Sequence, residues 1–194
     1  MRKIFRKAIL SLCILSMGLV NVSCDSETIT ELITILITNL VGQQGTTYTF
    51  TGSGTAQELI MQSDGQYQYG NATPSKFNGT FSVTVNNTVA NMTVPGMTVN
   101  GATMSAINFY NLNMAATSNN TTLDVGDNTS AEGSLTVNGT TYNVTSVYIE
   151  TEKEELRTTV TNQKLNIPIM SIYFGNKGEF AMNLTFAGNG VTQE

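Results

Sequence analysis

The sequence predicts an all-β domain, an antiparallel barrel with a β-sandwich as the alternative, preceded by one amphipathic helix. From Gly45 onward Thr, Asn, Gly, Val and aromatic residues recur in short alternating runs. Turn signals such as Pro95-Gly96, Asn100-Gly101 and Asn138-Gly139 separate those runs, which is how antiparallel sandwiches and barrels read. The last run is the clearest: Phe180, Met182, Leu184 and Phe186 alternate strictly with Glu179, Ala181, Asn183 and Thr185. One face of that strand is expected to be buried and the other mostly wet.

The chain begins with a basic tip, Arg2, Lys3, Arg6 and Lys7, followed by the apolar run Ala8 to Val20. That run is short for a transmembrane helix and right for a secretory segment. Val22-Ser23-Cys24 follows, and the whole resembles a bacterial lipoprotein signal in which Cys24 becomes the acylated first residue. Asn21 stands where that pattern has a large aliphatic residue. Cys13 is the rival, but it is preceded by bulky Leu12 and would leave only about five apolar residues before the cut, below the h-region range. The expected division is therefore residues 1–23 as signal peptide, 24–44 as lipidated cysteine, tether and helix, and 45–194 as the β domain. Asp25-Ser26-Glu27 resembles the surface-export tag of Bacteroidota lipoproteins, which implies an outer-membrane address and exposure at the cell surface.

A helix is expected over about Glu27 to Val41. Ile29, Leu32, Ile33, Leu36, Ile37 and Leu40 recur three and four residues apart and form one apolar stripe. Thr28 with Glu31 suits a capping box, and Gly42 suits the stop. Its many Ile and Thr residues lower intrinsic helicity, so the helix is expected to form by docking on the β domain. It has no Lys or Arg for a membrane-surface role.

About nine or ten strands are expected. Thr47 to Thr51 is the first, with Gly52-Ser53-Gly54 read as its exit, and Leu59 to Met61 pairs with Tyr67 to Tyr69 across Ser63-Asp64-Gly65. Lys76 to Val85, Val89 to Val94 and Met97 to Val99 follow, and Asn100-Gly101 turns into Met104 to Met114. That run changes parity after Phe109, which predicts a bulge. Ala116 to Ala131 reads as a polar loop, and Ser134 to Val137 pairs with Thr141 to Ile149 across Asn138-Gly139. Glu150 to Glu155 reads as a charged helical turn running on to Val160. Leu165 to Phe174 then pairs with Glu179 to Ala187, and Pro168 predicts an edge, a bulge or a strand start.

Composition narrows the chemistry. Cleavage before Cys24 would lower Lys+Arg from 9 to 5 against 14 Asp+Glu, a net charge of about −9, which disfavours nucleic acid as a partner. It would also leave no free thiol, since Cys13 goes with the signal and Cys24 carries the lipid, so no disulfide framework is expected. The chain has no histidine, which removes Ser-His-Asp and Cys-His arrangements and the commonest transition-metal ligand. Two carboxylates could still serve a glycosidase, but Asp64, Asp124, Asp127, Glu132 and the Glu150 to Glu155 run all fall in expected turns or loops. Asp124 to Asp127 lacks the spaced acids of a calcium loop and reads as a side-chain-bonded turn. No phosphate or dinucleotide fingerprint occurs, so no enzyme, cofactor or metal site is expected.

The signal, the helix and the phrases Thr47-Tyr-Thr-Phe-Thr-Gly-Ser-Gly, Val94-Pro-Gly-Met-Thr-Val and Ala181-Met-Asn-Leu-Thr-Phe-Ala-Gly resemble the calycin-like or lipocalin-like β-barrel lipoproteins of the Bacteroidota. The resemblance implies a fold and an address more than a chemistry. Two functions are consistent with it. In the first, a small apolar ligand sits inside the barrel, lined by Phe81, Val83, Phe109, Phe180, Met182, Leu184 and Phe186. In the second, the core is filled and polar Thr/Asn strands contact protein partners or polysaccharide. An eight-stranded barrel allows either outcome. Tyr67 and Tyr69 share a strand face and could stack on sugar, but cross-strand packing is the expected use.

Overall fold

The computed structural model describes residues 45–70, 73–117 and 120–190. The signal segment, Cys24 and the expected helix over Glu27 to Val41 lie outside these residues. Fourteen strands are described: β1 (Thr47–Met61), β2 (Tyr67–Tyr69), β3 (Ser75–Asn86), β4 (Val89–Val94), β5 (Met97–Val99), β6 (Ala102–Met104) and β7 (Ile107–Ala116) make up the first half. The second half comprises β8 (Thr121–Asp124), β9 (Ser130–Glu132), β10 (Ser134–Val137), β11 (Thr140–Ile149), β12 (Thr158–Val160), β13 (Lys164–Phe174) and β14 (Phe180–Gly190). A single 3₁₀ turn, Glu154–Leu156, precedes β12.

Eight of these strands close an antiparallel barrel in the order β12-β8-β7-β4-β3-β1-β14-β13, with β12 pairing back onto β13. The barrel therefore prevails over the sandwich. The two longest walls split toward one end. The lower part of β1 pairs with β3 from Thr47 to Ala56, and its upper part pairs with β2 from Leu59 to Met61. Likewise β13 pairs with β12 near Leu165 and with β11 from Met170 to Phe174. From β11 the sheet runs on through β10 and β6 to β5 and buries Val99, Ala102, Met104 and Leu135.

Turn chemistry accounts for the hairpins. Asn138 (φ 49) and Gly139 (φ 80) both lie in the left-handed region, the requirement of the two-residue turn whose twist suits a hairpin. Asn100 (φ 52) and Gly101 (φ 87) repeat this between β5 and β6. The bulge expected near Phe109 is present: Tyr110 and Asn111 both face Asn91, and Asn111 takes φ 58. Pro168 also sits in a bulge, because the β13–β14 register shifts between Ile167 and Met170. A residue with no backbone donor is tolerated where the ladder is already broken.

Four expectations are corrected. Gly52-Ser53-Gly54 is the middle of a 15-residue strand and not an exit. The expected polar loop over Ala116 to Ala131 contains β9 and a barrel strand, β8, which carries one large apolar side chain, Leu123. The Met104 to Met114 run is broken at Ser105-Ala106 into β6 and β7. The segment after Glu155 becomes β12, the strand that closes the barrel, and the total exceeds nine or ten.

Candidate functional site

The expected ligand-lining residues do come together inside the barrel. Phe81, Val83, Phe109 and Met182 have no accessible surface, Leu184 and Phe186 have 1% and 2%, and Phe180 is half-buried beside Tyr142. A side chain with no accessible surface borders no water-sized void, so the interior beside these four is filled by neighbouring side chains. The Phe81 and Phe186 rings stack with centroids 4.0 Å apart, and Phe77 stacks on Phe186 at 6.4 Å.

Glycine makes room for this stack. Gly52, Gly54, Gly79 and Gly188 fall on the inward parity of their strands. A Cβ on Gly188 would lie 2.6 Å from the Phe186 ring, and one on Gly54 would lie 2.9 Å from Phe77 Cζ. At Gly52 and Gly54 the missing Cβ also admits the carbonyls of Ala187 and Thr185 on β14. Glycine inside a strand marks this sort of close backbone approach.

Outside, β1 and its neighbours form a wall of a different kind. Alternation turns Thr47, Thr49, Thr51, Ser53, Thr55, Gln57 and Leu59 outward. Cross-strand hydroxyl pairs run along the wall: Thr47 with Thr84 at 2.7 Å, Thr51 with Thr80 at 3.0 Å and Thr55 with Thr185 at 2.8 Å. Near Gly54 the wall holds an open groove of about 470 Å³, lined by Ser53, Gly54, Thr55, Lys76, Phe77, Asn78 and Thr185.

Further along the same wall the lining becomes aromatic. Tyr69, Leu59, Ala181, Tyr173 and Ser146 stand in one register row across β2, β1, β14, β13 and β11. Tyr67 leans over the row onto Tyr173, with ring centroids 5.6 Å apart, and donates its hydroxyl to the Gly178 carbonyl. Burial, then Tyr173 and Glu179, raise the Tyr67 phenol above its ordinary pKa. Leu59 and Ala181 are thereby buried although they face outward. Tyr69 remains 60% exposed and Tyr148, one row away on β11, 46% exposed. Between the aromatic row and the groove lie Gln57 and Asn183, and Ser171 donates to Asn183 Oδ1 at 2.7 Å. So the expected packing role holds for Tyr67, while Tyr69 stays largely exposed.

The acids go to local structure. Asp64 Oδ1 accepts from the Gln66 amide at 2.9 Å, and Asp124 Oδ1 from the Val125 amide at 2.6 Å. Thr129 Oγ1 completes the turn after Asp124 by accepting from Gly126 and donating to the Asn111 carbonyl. Tyr110 donates to Glu132 and Tyr148 to Glu150, and both phenols are raised above their ordinary pKa chiefly by these bonds. Glu150 is held below the ordinary carboxylate value, mainly by accepting from the Glu152 amide. Among the described residues no three His, Cys, Asp or Glu side chains gather as a metal site.

Glu58 was not among the acids singled out from the sequence. It faces inward near the split end of β1, is 6% exposed, and its Oε1 has no hydrogen-bond partner among the described residues. Burial raises its carboxyl above the usual range. The groove residues were missed for a related reason: with the glycines taken as an exit, Ser53, Thr55 and Lys76 had no shared face. Compared with known proteins, the chain matches no family model, no curated protein and no solved structure.

Proposed function

We propose that this protein is a non-catalytic, lipid-anchored module of the outer membrane, exposed at the cell surface, which recognises carbohydrate on the outer wall of a filled barrel. The observation that carries this reading is the wall itself. Hydroxyls and amides from Thr51 to Asn183 lead into a tyrosine row whose member Tyr69 is 60% exposed. Sugars present that combination of demands, with hydroxyls to be hydrogen-bonded and flat C–H faces to be stacked. The hydroxyl and amide stretch from Thr51 to Gln57 and Asn183 runs several residues along β1 before it reaches the tyrosine row, which suits an extended oligosaccharide better than a single small molecule.

The alternative of an apolar ligand within the barrel is less well supported, because four of the side chains that would line it, Phe81, Val83, Phe109 and Met182, have no accessible surface, and Phe81 stacks directly on Phe186. The anchor rests on Cys24 and the basic and apolar residues before it.

Two measurements test the reading. Calorimetric titration of residues 24–194 with neutral hexose oligosaccharides should show saturable binding that Tyr69→Ala weakens about tenfold, since stacking on an exposed ring contributes on the order of 1 kcal/mol. Native mass spectrometry of the protein from its own cells should find the barrel empty. A co-purifying lipid-sized molecule, or no oligosaccharide binding, would overturn the proposal. Replacing Cys24 by Ala should release the protein from membranes washed with carbonate; retention would refute the anchor.

A further inference from the structure

The groove beside Gly54 carries a cation, Lys76. Lys76 stands directly opposite Thr55 in the β1–β3 register, with Ser53 opposite Asn78 and Thr185 opposite Thr55 on the other side. Beyond residue 23 the sequence has five cations, Lys76, Lys153, Arg157, Lys164 and Lys177. Lys153 and Arg157 flank the acidic Glu154–Glu155 pair, and Lys177 lies two residues from Glu179. Lys76 has no carboxylate partner among the described residues, and its side chain is exposed along the groove.

The neighbouring hydroxyls are arranged to donate. Thr185 Oγ1 already accepts from the Thr55 amide at 3.1 Å and shares one further hydrogen with Thr55 Oγ1 at 2.8 Å. Two hydroxyls bring two hydrogens and one is used between them, so whichever donates, one O–H is left over. That O–H, the Ser53 hydroxyl, the Asn78 amide and the Lys76 ammonium line one concavity. Such a set of donors around one cation complements an anion. The net charge of −5 for the whole chain repels a densely charged polymer. A lone ammonium balances a single acidic group.

We infer that the groove is the subsite for one carboxylate-bearing sugar, a uronic acid, within an otherwise neutral oligosaccharide. The inference rests on the carbohydrate reading of the wall and adds the substrate class. The sugar carboxylate pairs with Lys76, while the Thr55–Thr185 pair, Ser53 and Asn78 donate to its carboxylate and ring oxygens. The remaining sugars extend along Gln57 and Asn183 toward Tyr69.

The test titrates residues 24–194 with a neutral hexose tetrasaccharide, the same tetrasaccharide carrying one terminal uronic acid, and inorganic phosphate. The wild type should bind the acidic tetrasaccharide about tenfold more tightly than the neutral one, as expected for one charge-assisted contact, and that advantage should shrink with added salt. Lys76→Gln should erase the advantage, bringing the acidic tetrasaccharide down to the affinity of the neutral one, while Lys164→Gln, which does not line the groove, should keep the advantage. Equal binding of the two tetrasaccharides by the wild type, or an advantage that survives Lys76→Gln, overturns the subsite but not the wall. Phosphate binding as tight as the acidic sugar makes the groove a general anion site and also overturns it. Failure of both tetrasaccharides to bind overturns the wall reading with it.

Discussion

Replacing Glu58 with glutamine at pH 7 is expected to raise the stability of the domain by about 1–3 kcal/mol, because it removes a charge that burial disfavours while keeping the side chain's shape. The carboxyl faces inward opposite Met182, 6% exposed, with Oε1 unpartnered among the described residues. Its Oε2 lies 3.0 Å from where a Cβ on Gly70 would stand, so no room for a further side chain remains on that side. Burial raises its folded pKa above the unfolded value. Between those two values the folded state binds more protons than the unfolded state, so stability falls as pH rises through that window and stays lower above it. Below the unfolded value Glu58 is neutral in both states and costs little. Glutamine keeps the shape without the charge, so the gain from Glu58→Gln should be near zero at about pH 4 and larger at pH 7.5. For a domain of about 150 residues this corresponds to a melting-temperature rise of about 2–10 °C. Paired thermal and urea unfolding of both proteins at the two pH values reads it directly. A Glu58→Gln variant less stable than wild type at pH 7.5, or a gain independent of pH, would refute this account of Glu58.

Four further changes follow from the same geometry. Phe186→Ala removes the ring stacked 4.0 Å from Phe81 and should cost about 3–5 kcal/mol in urea unfolding; a loss below 1 kcal/mol would mean that the interior is not packed as described. Thr121→Val and Thr158→Val each replace a buried hydroxyl without a partner among the described residues and should each stabilise by about 1 kcal/mol, seen as a higher midpoint at unchanged slope. Gly139→Ala forces an L side chain to φ 80 and should cost about 1–2 kcal/mol; no effect on the midpoint would argue against the left-handed turn. In a spectrophotometric titration Tyr67, Tyr110 and Tyr148 should ionise after ordinary tyrosines, because each phenol is raised by burial or by a bond to a carboxylate. Tyr67→Phe should remove one late-ionising group.

Alternation and turn residues carried most of the fold. The pairs Leu59–Met61 with Tyr67–Tyr69, Ser134–Val137 with the strand after Asn138-Gly139, and Leu165–Phe174 with Glu179–Ala187 are all present. These hairpins are local, and local turns fix their register. Two of the strands that were missed, β8 and β12, are short and rich in Thr; each pairs locally with its chain neighbour, β7 or β13, and the pairing that closes the barrel joins them to each other across a long stretch of chain. Thr121 and Thr158 are completely buried, and no period-two pattern reveals that a Thr-Thr-Leu segment closes a barrel. The candidate site was hidden by Gly52 and Gly54. Glycine in a strand usually weakens it, whereas here the strand survives because packing on both sides, from β3 and β14, replaces what propensity lacks.

Those glycines join the two halves of the argument. On the inward face Gly54 yields its side-chain space to the Phe77 ring, which stacks on Phe186, and so helps to fill the barrel. On the outward face the same residue lines the groove, where Thr55 and Ser53 on either side of it reach Thr185 and Asn78. Filling the interior and opening the exterior groove are therefore one structural event at one residue. Gly54→Ala separates the consequences: its Cβ would press on the Thr185 carbonyl and on Phe77, so β1 and β14 must move apart. Overpacking of this kind costs about 1–3 kcal/mol, leaving a domain that still folds but whose Thr55–Thr185 pair is disturbed. Its binding of the acidic tetrasaccharide should then fall while binding at the Tyr69 row persists. Unfolding curves and titrations on one preparation would show whether loss of stability and loss of acid selectivity appear together, and unchanged selectivity in a destabilised protein would break the link.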